Sequence, residues 1–334
     1  MDPTLVVLIV LALGFAFLNG VHDSCNLVST MISSRAIRPQ VALILASIAE
    51  FSGPFIFGVA VANTIGNEIV SSAHLNLNVI IAGLIGAISW NLITWVLSIP
   101  SSSSHALVGG LVGAVAISIG FSEIQLHGVL KVVLFLFISP VIGFITGVII
   151  TNLVFLLSWK ATPRVNNFFK KAQIATSLGL AMGSGANDAQ KTMGVITLGL
   201  VISGLQRTFT VPFWTVLACA LAISLGVALG GYRLIRTLGS KFYKIRPVHG
   251  FASQAASAVV ILAASLLGGP VSATQIVSTS IMGVGAAERV SKVRWGVAGD
   301  LISAWLFTIP SAGLLAAGAY WLITSGVPAL IALF

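Results

Sequence analysis

Apolar runs of spanning length, interrupted by short polar or basic segments, fill the whole chain. The first of them contains "LVVLIVLALGFAFL" at 5–18, without a charge. About 20 residues at a helical rise of about 1.5 Å cross the hydrocarbon core of a bilayer. The runs lack the period-two alternation of a strand, so they predict helices. They fall at 4–34, 40–61, 78–99, 105–120, 129–159, 172–203, 211–238, 251–267, 271–285, 295–310 and 311–334. Those at 105–120 and 271–285 are short for a full crossing and read as arms of re-entrant hairpins. The predicted fold class is therefore an all-α polytopic membrane protein with about 10–12 membrane segments.

Composition supports this class. Of 334 residues 57% are hydrophobic and 7% charged, against roughly 25% in a soluble domain. Mean hydropathy is +1.05. Cys25 and Cys219 both lie in apolar runs and form no disulfide framework or metal motif. The net charge of +9 sits in short loops, where membrane topology accounts for it, so nucleic acid is not an expected partner. Four basic groups predict the cytoplasmic side: Arg35 and Arg38; Lys160, Arg164, Lys170 and Lys171; Arg233 to Arg246; and Arg289, Lys292 and Arg294. Segment 62–77, without Lys or Arg, is then an external loop, and the N-terminus is external.

The chain echoes itself. "NGVHDSCN" in the first run matches "GSGANDAQK" in the sixth, Gly20-x-x-Asp23 against Gly185-x-x-Asp188. "PSSSSHALVGGLVG" from Pro100 matches "PVSATQIVSTSIMG" from Pro270. The two runs cross in opposite senses, which predicts two inverted-topology repeats with broken helices or re-entrant hairpins, the architecture of many secondary transporters. The boundaries are an N-terminal repeat at 1–159, a basic cytoplasmic linker at 160–171 and a C-terminal repeat at 172–334. One further echo, Leu92 to Ser101 against Leu301 to Ser311, competes for Pro100 and does not fit this scheme.

Four polar islands interrupt the apolar runs: 22–26, 101–105, 187–192 and 272–275. A charge at membrane depth costs at least about 2.5 kcal/mol unless paired or wet, so each asks for a role. Asp23 and Asn26 share a helix face, as do Asp188 and Lys191. Gly20, Gly183 and Gly185 would permit unwound turns beside them. The other two islands follow prolines, which places their hydroxyls at helix N-termini, where N–H groups and the dipole favour an anion. One pair of islands suits a cation and the other an oxyanion. Cations between the aspartates would relieve their repulsion of the anion, which makes the two bindings obligatorily coupled. Sodium suits such oxygens; a proton on an aspartate is the alternative. Glu50, mid-run in "ASIAEFSGP", and Gln254, in "GFASQAAS", are further cation candidates. His22 and His105 lack ligand-spaced partners and read as hydrogen-bonding residues rather than metal ligands. Glu68, His74, Glu123 and His127 read as solvated loop residues, and Asp300 as a helix contact.

"GVHDSCN", "GANDAQKTMG" and "PSSSSHALVG" together resemble the signature motifs of the inorganic phosphate transporter (PiT) family. The resemblance covers both halves and all four islands. It implies a secondary transporter that imports inorganic phosphate by symport with sodium, a homodimer, and an elevator-like movement. Protons, or a metal–phosphate complex as cargo, are the alternatives. The absence of a large central hydrophilic loop resembles compact prokaryotic members and implies the inner (plasma) membrane. By motif, Asp23, Asn26, Ser103, Ser104, Asp188 and Thr274 would touch ligand or ion. The phosphate candidates are Asp23, Ser102, Ser103, Ser104, Asn187, Lys191, Thr192, Ser272, Thr274 and Gln275. The cation candidates are Asp23, Asn26, Glu50, Asp188 and Gln254, with sodium at Asp23, Asn26 and Asp188. Lys191 replaces, in the second motif, the Asn26 of the first. No cofactor is expected. The rival from another class is an intramembrane serine hydrolase built on "SSSSH", which lacks a nucleophile elbow and gives duplicated islands no task.

Overall fold

The structure is a computed structural model that describes residues 2–70, 75–97, 99, 101–162, 164–238, 246–293 and 295–326. His74, Pro100, Lys241, Lys244, Arg294 and the end of the run at 311–334 lie outside the described residues, as do the side chains of Arg233, Arg236, Lys292 and Asp300.

Eleven α-helices are described: α1 (Pro3–Ser33), α2 (Pro39–Phe57), α3 (Ala60–Asn63), α4 (Leu77–Val96), α5 (Ser103–Ser118), α6 (Leu126–Leu157), α7 (Val165–Ile202), α8 (Phe213–Leu238), α9 (Pro247–Leu266), α10 (Ala273–Glu288) and α11 (Trp295–Trp321). There is no β-strand among the described residues. The starts follow helix-end chemistry. Proline stands in the first turn of α1, α2 and α9, where its missing N–H has no helical partner to lose. The Asn76 side chain accepts from the Val79 N–H at 3.1 Å and opens α4. Gly58, with φ 77°, ends α2.

Seven of the described helices are long and apolar enough to cross a membrane. To these the bundle adds α7, of 38 residues, and the short α5 and α10, of 16 each. The protein is thus an all-helical, multi-pass membrane protein. Large apolar side chains stand exposed along α6, from Leu130 to Leu156, where a bilayer would solvate them. By contrast α7 is buried on every face from Gly183 to Leu200.

The helices pack in an exchanged pattern. α1 lies on α8 and α2 on α7; α5 lies on α11 and α10 on α6. α4 touches α5, α11 and α1, while α9 touches α10, α6 and α7. Swapping α1 with α7, α2 with α8, α4 with α9, α5 with α10 and α6 with α11 turns each of these pairings into another of them.

Several expectations need correction. The runs at 295–310 and 311–334 are not two segments: α11 passes through Pro310 unbroken to Trp321. Helical packing outweighs the single hydrogen bond that proline removes. Nor is the helix broken at the signature glycines, because α1 and α7 both run through them. Those glycines serve close approach instead. A Cβ on Gly20 would stand 2.1 Å from the Ile223 carbonyl oxygen of α8, and one on Gly185 would stand 2.1 Å from the Glu50 carbonyl oxygen of α2. The chain breaks instead between α4 and α5 and between α9 and α10, just ahead of the two short helices. Segment 62–77 is partly helical, with the end of α3 and a π-helical turn at Thr64–Glu68. Glu68 is ion-paired with Lys131 at 2.7 Å rather than simply solvated. α7 begins at Val165, inside the basic segment 160–171.

Candidate functional site

The first Asp-bearing island lies mid-way along α1. Asn26, one turn beyond Asp23, donates from Nδ2 to the Asp23 carboxylate at 3.0 Å. The same Nδ2 donates to Thr274 Oγ1 at 3.0 Å, and the Thr274 hydroxyl donates to Asp23 at 2.9 Å. Thr274 is the second residue of α10. A carboxylate, an amide and a hydroxyl therefore close a ring between α1 and the N-terminus of α10.

The second island repeats this on α7. Lys191, one turn beyond Asp188, pairs with its carboxylate and donates to Ser104 Oγ at 2.6 Å. Ser104 is the second residue of α5. Lys191 also donates to the Val271 carbonyl oxygen at 2.6 Å, and Ser104 Oγ donates to that oxygen at 2.9 Å. Ser184, one turn before Asp188, donates to its other carboxylate oxygen at 3.0 Å. Lys191 is 1% exposed and Asp188 2%; Asn26 and Thr274 are half-buried. A buried ammonium is tolerable only with its hydrogen bonds made, and here three oxygens meet its three N–H donors.

The tips of the two short helices meet between these islands. Ser104 of α5 reaches Val271, just ahead of α10. His105 Nδ1 and Gln275 Nε2, the third residues of the two helices, lie 3.4 Å apart. Ser103 donates to the side-chain oxygen of Asn19 on α1. Ser102 caps α5 by accepting from the His105 N–H at 3.3 Å. Ser272 stands at the N-cap of α10 with no side-chain hydrogen bond, so the first-turn N–H groups of α10 have no side-chain capping oxygen among the described residues. Asn187 shapes the α9–α10 turn. Its amide donates to Ser265 Oγ and to the Gly269 carbonyl, both at 3.0 Å, and its oxygen accepts from the Val271 N–H at 3.1 Å.

The remaining candidates are more scattered. Glu50 is fully buried on α2, and neither carboxylate oxygen has a hydrogen-bond partner among the described residues. It stands in the field of both Asp188 and Asp23, which also face each other's charge. Thr192 is buried with an unpartnered hydroxyl. Gln254 belongs to another cluster, where it donates to Thr30 of α1 and Ser177 of α7 and accepts from Thr176 at 3.4 Å. His22 lies against Trp95 and His105 edge-on to Phe137. Among the described residues no three His, Cys, Asp or Glu side chains gather to hold a metal ion. Nor does a hydrolase triad assemble, because Ser103 and Ser104 bond to Asn19, Val271 and Lys191 and not to the His105 ring.

Sequence reasoning overlooked Asn19 and Ser184. Both stand four residues before an aspartate, on its own helix face, and that spacing was the available signal. It had no access to the Val271 carbonyl, which only the folded turn presents.

The chain matches the model of a phosphate transporter family over residues 19–316. A protein of Rhizobium meliloti (strain 1021), described as a probable low-affinity inorganic phosphate transporter, is 45% identical over 321 residues, covering 96% of each chain. A protein of Bacillus subtilis (strain 168) with the same description is 39% identical over 322 residues, covering 95% of this chain and 96% of its own. Among solved structures, one titled "The sodium-dependent phosphate transporter" superposes with a TM-score of 0.88 at 25% identity, covering 96% of this chain and 98% of that one.

Proposed function

Because the chain belongs to the phosphate transporter family, we propose that it imports inorganic phosphate by symport with sodium, through one pocket between two inverted repeats. Membership of a transporter family also sets the hydrolase reading aside: the protein is not an enzyme.

One observation carries the proposal. The rings Asp23–Asn26–Thr274 and Asp188–Lys191–Ser104 are built alike, and each ties one half's long helix to the other half's short one. The exchanged packing of the helices supports the division into repeats at 1–159 and 172–334. α5 and α10 then act as re-entrant arms that bring two helix N-termini to the middle of the bundle. The uncapped first turn of α10 offers an oxyanion N–H donors on the positive side of a helix dipole. Neutral donors hold phosphate loosely enough to release it.

The cation side lies next to it. The second carboxylate oxygen of Asp23 and the amide oxygen of Asn26 accept no hydrogen bond among the described residues, and sodium would take both. Neutralising Asp23 removes the repulsion that otherwise keeps phosphate out, which links the two bindings. Glu50 is a further acceptor. Asn187, Ser102 and Ser272 shape the two turns, while Thr192 and Gln275 line the buried surroundings. Positive net loading lets the membrane potential drive uptake, at about 2.3 kcal/mol per charge per 100 mV. The homodimer, the inner-membrane location and the external N-terminus complete this reading. Cross-linking in membranes and labelling of an N-terminal cysteine would check them.

Radiolabelled phosphate uptake into proteoliposomes, with sodium and proton gradients imposed separately, tests the coupling. Accumulation driven by inward sodium at matched pH is expected. Accumulation that follows a proton gradient and ignores sodium would replace sodium by the proton.

A further inference from the structure

We propose that the Lys191 ammonium stands in for a free coupling cation, so that the transporter carries one cation fewer per phosphate than a pocket with two like halves would. This rests on the symport reading and deepens it.

Asn26 and Lys191 occupy the same place in the two rings. Each follows its aspartate by three residues, and each reaches the second residue of a short helix from the other half. The difference lies in what the oxygens around them receive. In the first ring one Asp23 oxygen and the Asn26 amide oxygen accept no hydrogen bond among the described residues; Asp23 is 3% exposed, while Asn26 and Thr274 are half-buried. In the second ring a carboxylate, a hydroxyl and a backbone carbonyl converge on a single ammonium nitrogen, sealed at 1% exposure. Backbone carbonyls freed at broken helices hold sodium in transporters, and carboxylate and hydroxyl oxygens are hard donors of the same kind. The chain supplies that cation itself, on a tether.

Two other roles for Lys191 fit less well. As a phosphate ligand it would need a free donor, and all three are taken. As a partner of Glu50 it would need a contact, yet both Glu50 oxygens are unpartnered. Glu50 of the first half has no acidic equivalent in the second, where Ile223 occupies its place, against Gly20. It counts the same with or without the lysine.

The test is the charge moved per phosphate, read from reversal potentials of proteoliposomes under set phosphate gradients. That quantity does not depend on which cation couples. Lys191→Asn rebuilds the first ring in the second half. Its charge per phosphate should exceed the wild-type value by one, which raises the equilibrium accumulation ratio about 50-fold per 100 mV. An unchanged charge per phosphate would overturn the inference and leave symport standing. Wild-type uptake that responds to no cation gradient would instead sink the symport reading. Lys191→Gln, one methylene longer, is the second variant. For both, the phosphate-induced rise in Tm should depend on sodium more steeply than in wild type. Folded variants that phosphate stabilises at no sodium concentration would make Lys191 a phosphate ligand and overturn the inference. So would variants that fold at no sodium concentration, because a free cation should replace the tethered one.

Discussion

α1 and α7 carry the same device in different surroundings. Each brings a glycine against the backbone of a neighbour, an aspartate three residues on, and a polar side chain three residues beyond that. Each reaches a hydroxyl at the tip of the opposite short helix. Yet α1 exposes Val6, Val7 and Val10 along its outer face, while α7 is enclosed from Gly183 to Leu200. The open helix carries the neutral partner, Asn26, and the enclosed one the charged partner, Lys191. Glu50 stands beside α7 where Ile223 stands beside α1. The scaffold is duplicated and the charges are not. Backbone packing tolerates little divergence at a close approach, whereas a side chain that points into a pocket can change its chemistry without moving a helix.

The sharpest way to break this comparison is to neutralise each aspartate. Asp188→Asn strands a buried ammonium and should cost about 3–5 kcal/mol of stability. Asp23→Asn strands no charge, because the partners of Asp23 are neutral, and should cost about 1 kcal/mol. Thermal unfolding in detergent measures both, and equal losses would mean that the two surroundings do not differ as described. The glycines should behave in the opposite way. Gly20→Ala and Gly185→Ala each place a methyl 2.1 Å from a backbone oxygen, so each should lose about 3 kcal/mol, and by similar amounts. A large gap between them would show that the packing is not duplicated after all.

Much of this was legible in the chain. The islands, their pairing across halves and the N-terminal placement of the hydroxyls follow from motif spacing and from prolines. The competing echo of Leu92 to Ser101 arose because only one match was sought for Pro310. Phe137-x-x-Pro140-x-x-Gly143 recurs as Phe307-x-x-Pro310-x-x-Gly313, at the same 170-residue offset that relates Ser104 to Thr274 and Gly113 to Gly283. Pro310 therefore answers to Pro140 inside α6, and Pro100 is left to Pro270. The unbroken course of α11 could not be read, because a mid-run proline signals a boundary as readily as a tolerated kink. The pairing of Glu50 with Ile223 was hidden for a different reason. An acid and an isoleucine share no chemistry, and only their common backbone contact with a signature glycine relates them. Gln254 looked like the counterpart because polarity was the only guide.

The hydroxyl pair sharpens the comparison at the next level of energy. Ser104 accepts from a charged donor, and Ser104→Ala removes that acceptor inside a sealed site. A loss of about 2 kcal/mol in stability is expected, with weakened phosphate binding. Thr274 bonds to neutral Asn26 and to Asp23, and Thr274→Val should cost about 1 kcal/mol, while raising the sodium concentration needed for half-maximal uptake. Equilibrium unfolding together with sodium titrations of uptake separates the two. If Thr274→Val affected phosphate and sodium in the same proportion as Ser104→Ala, the two hydroxyls would be interchangeable, and the division between an open and a filled cation place would fail.

The smallest expected effect belongs to Gln254. From α9 it joins Thr30 of α1 to Ser177 of α7, and so links the two compared helices at a point away from either ring. Gln254→Leu keeps the volume and removes the donor pair, which leaves the Thr30 and Ser177 hydroxyl oxygens without that donor but takes no acceptor from either hydroxyl. Ser177 already approaches the Leu27 carbonyl at 3.4 Å, so the cost should be only about 1 kcal/mol. Uptake should keep its wild-type sodium dependence, because no carboxylate loses a partner. A fall in sodium affinity as large as that of Asp23→Asn would carry the cation site out of the first ring and along α1 to Thr30. The contrast between α1 and α7 would then describe only part of the pocket.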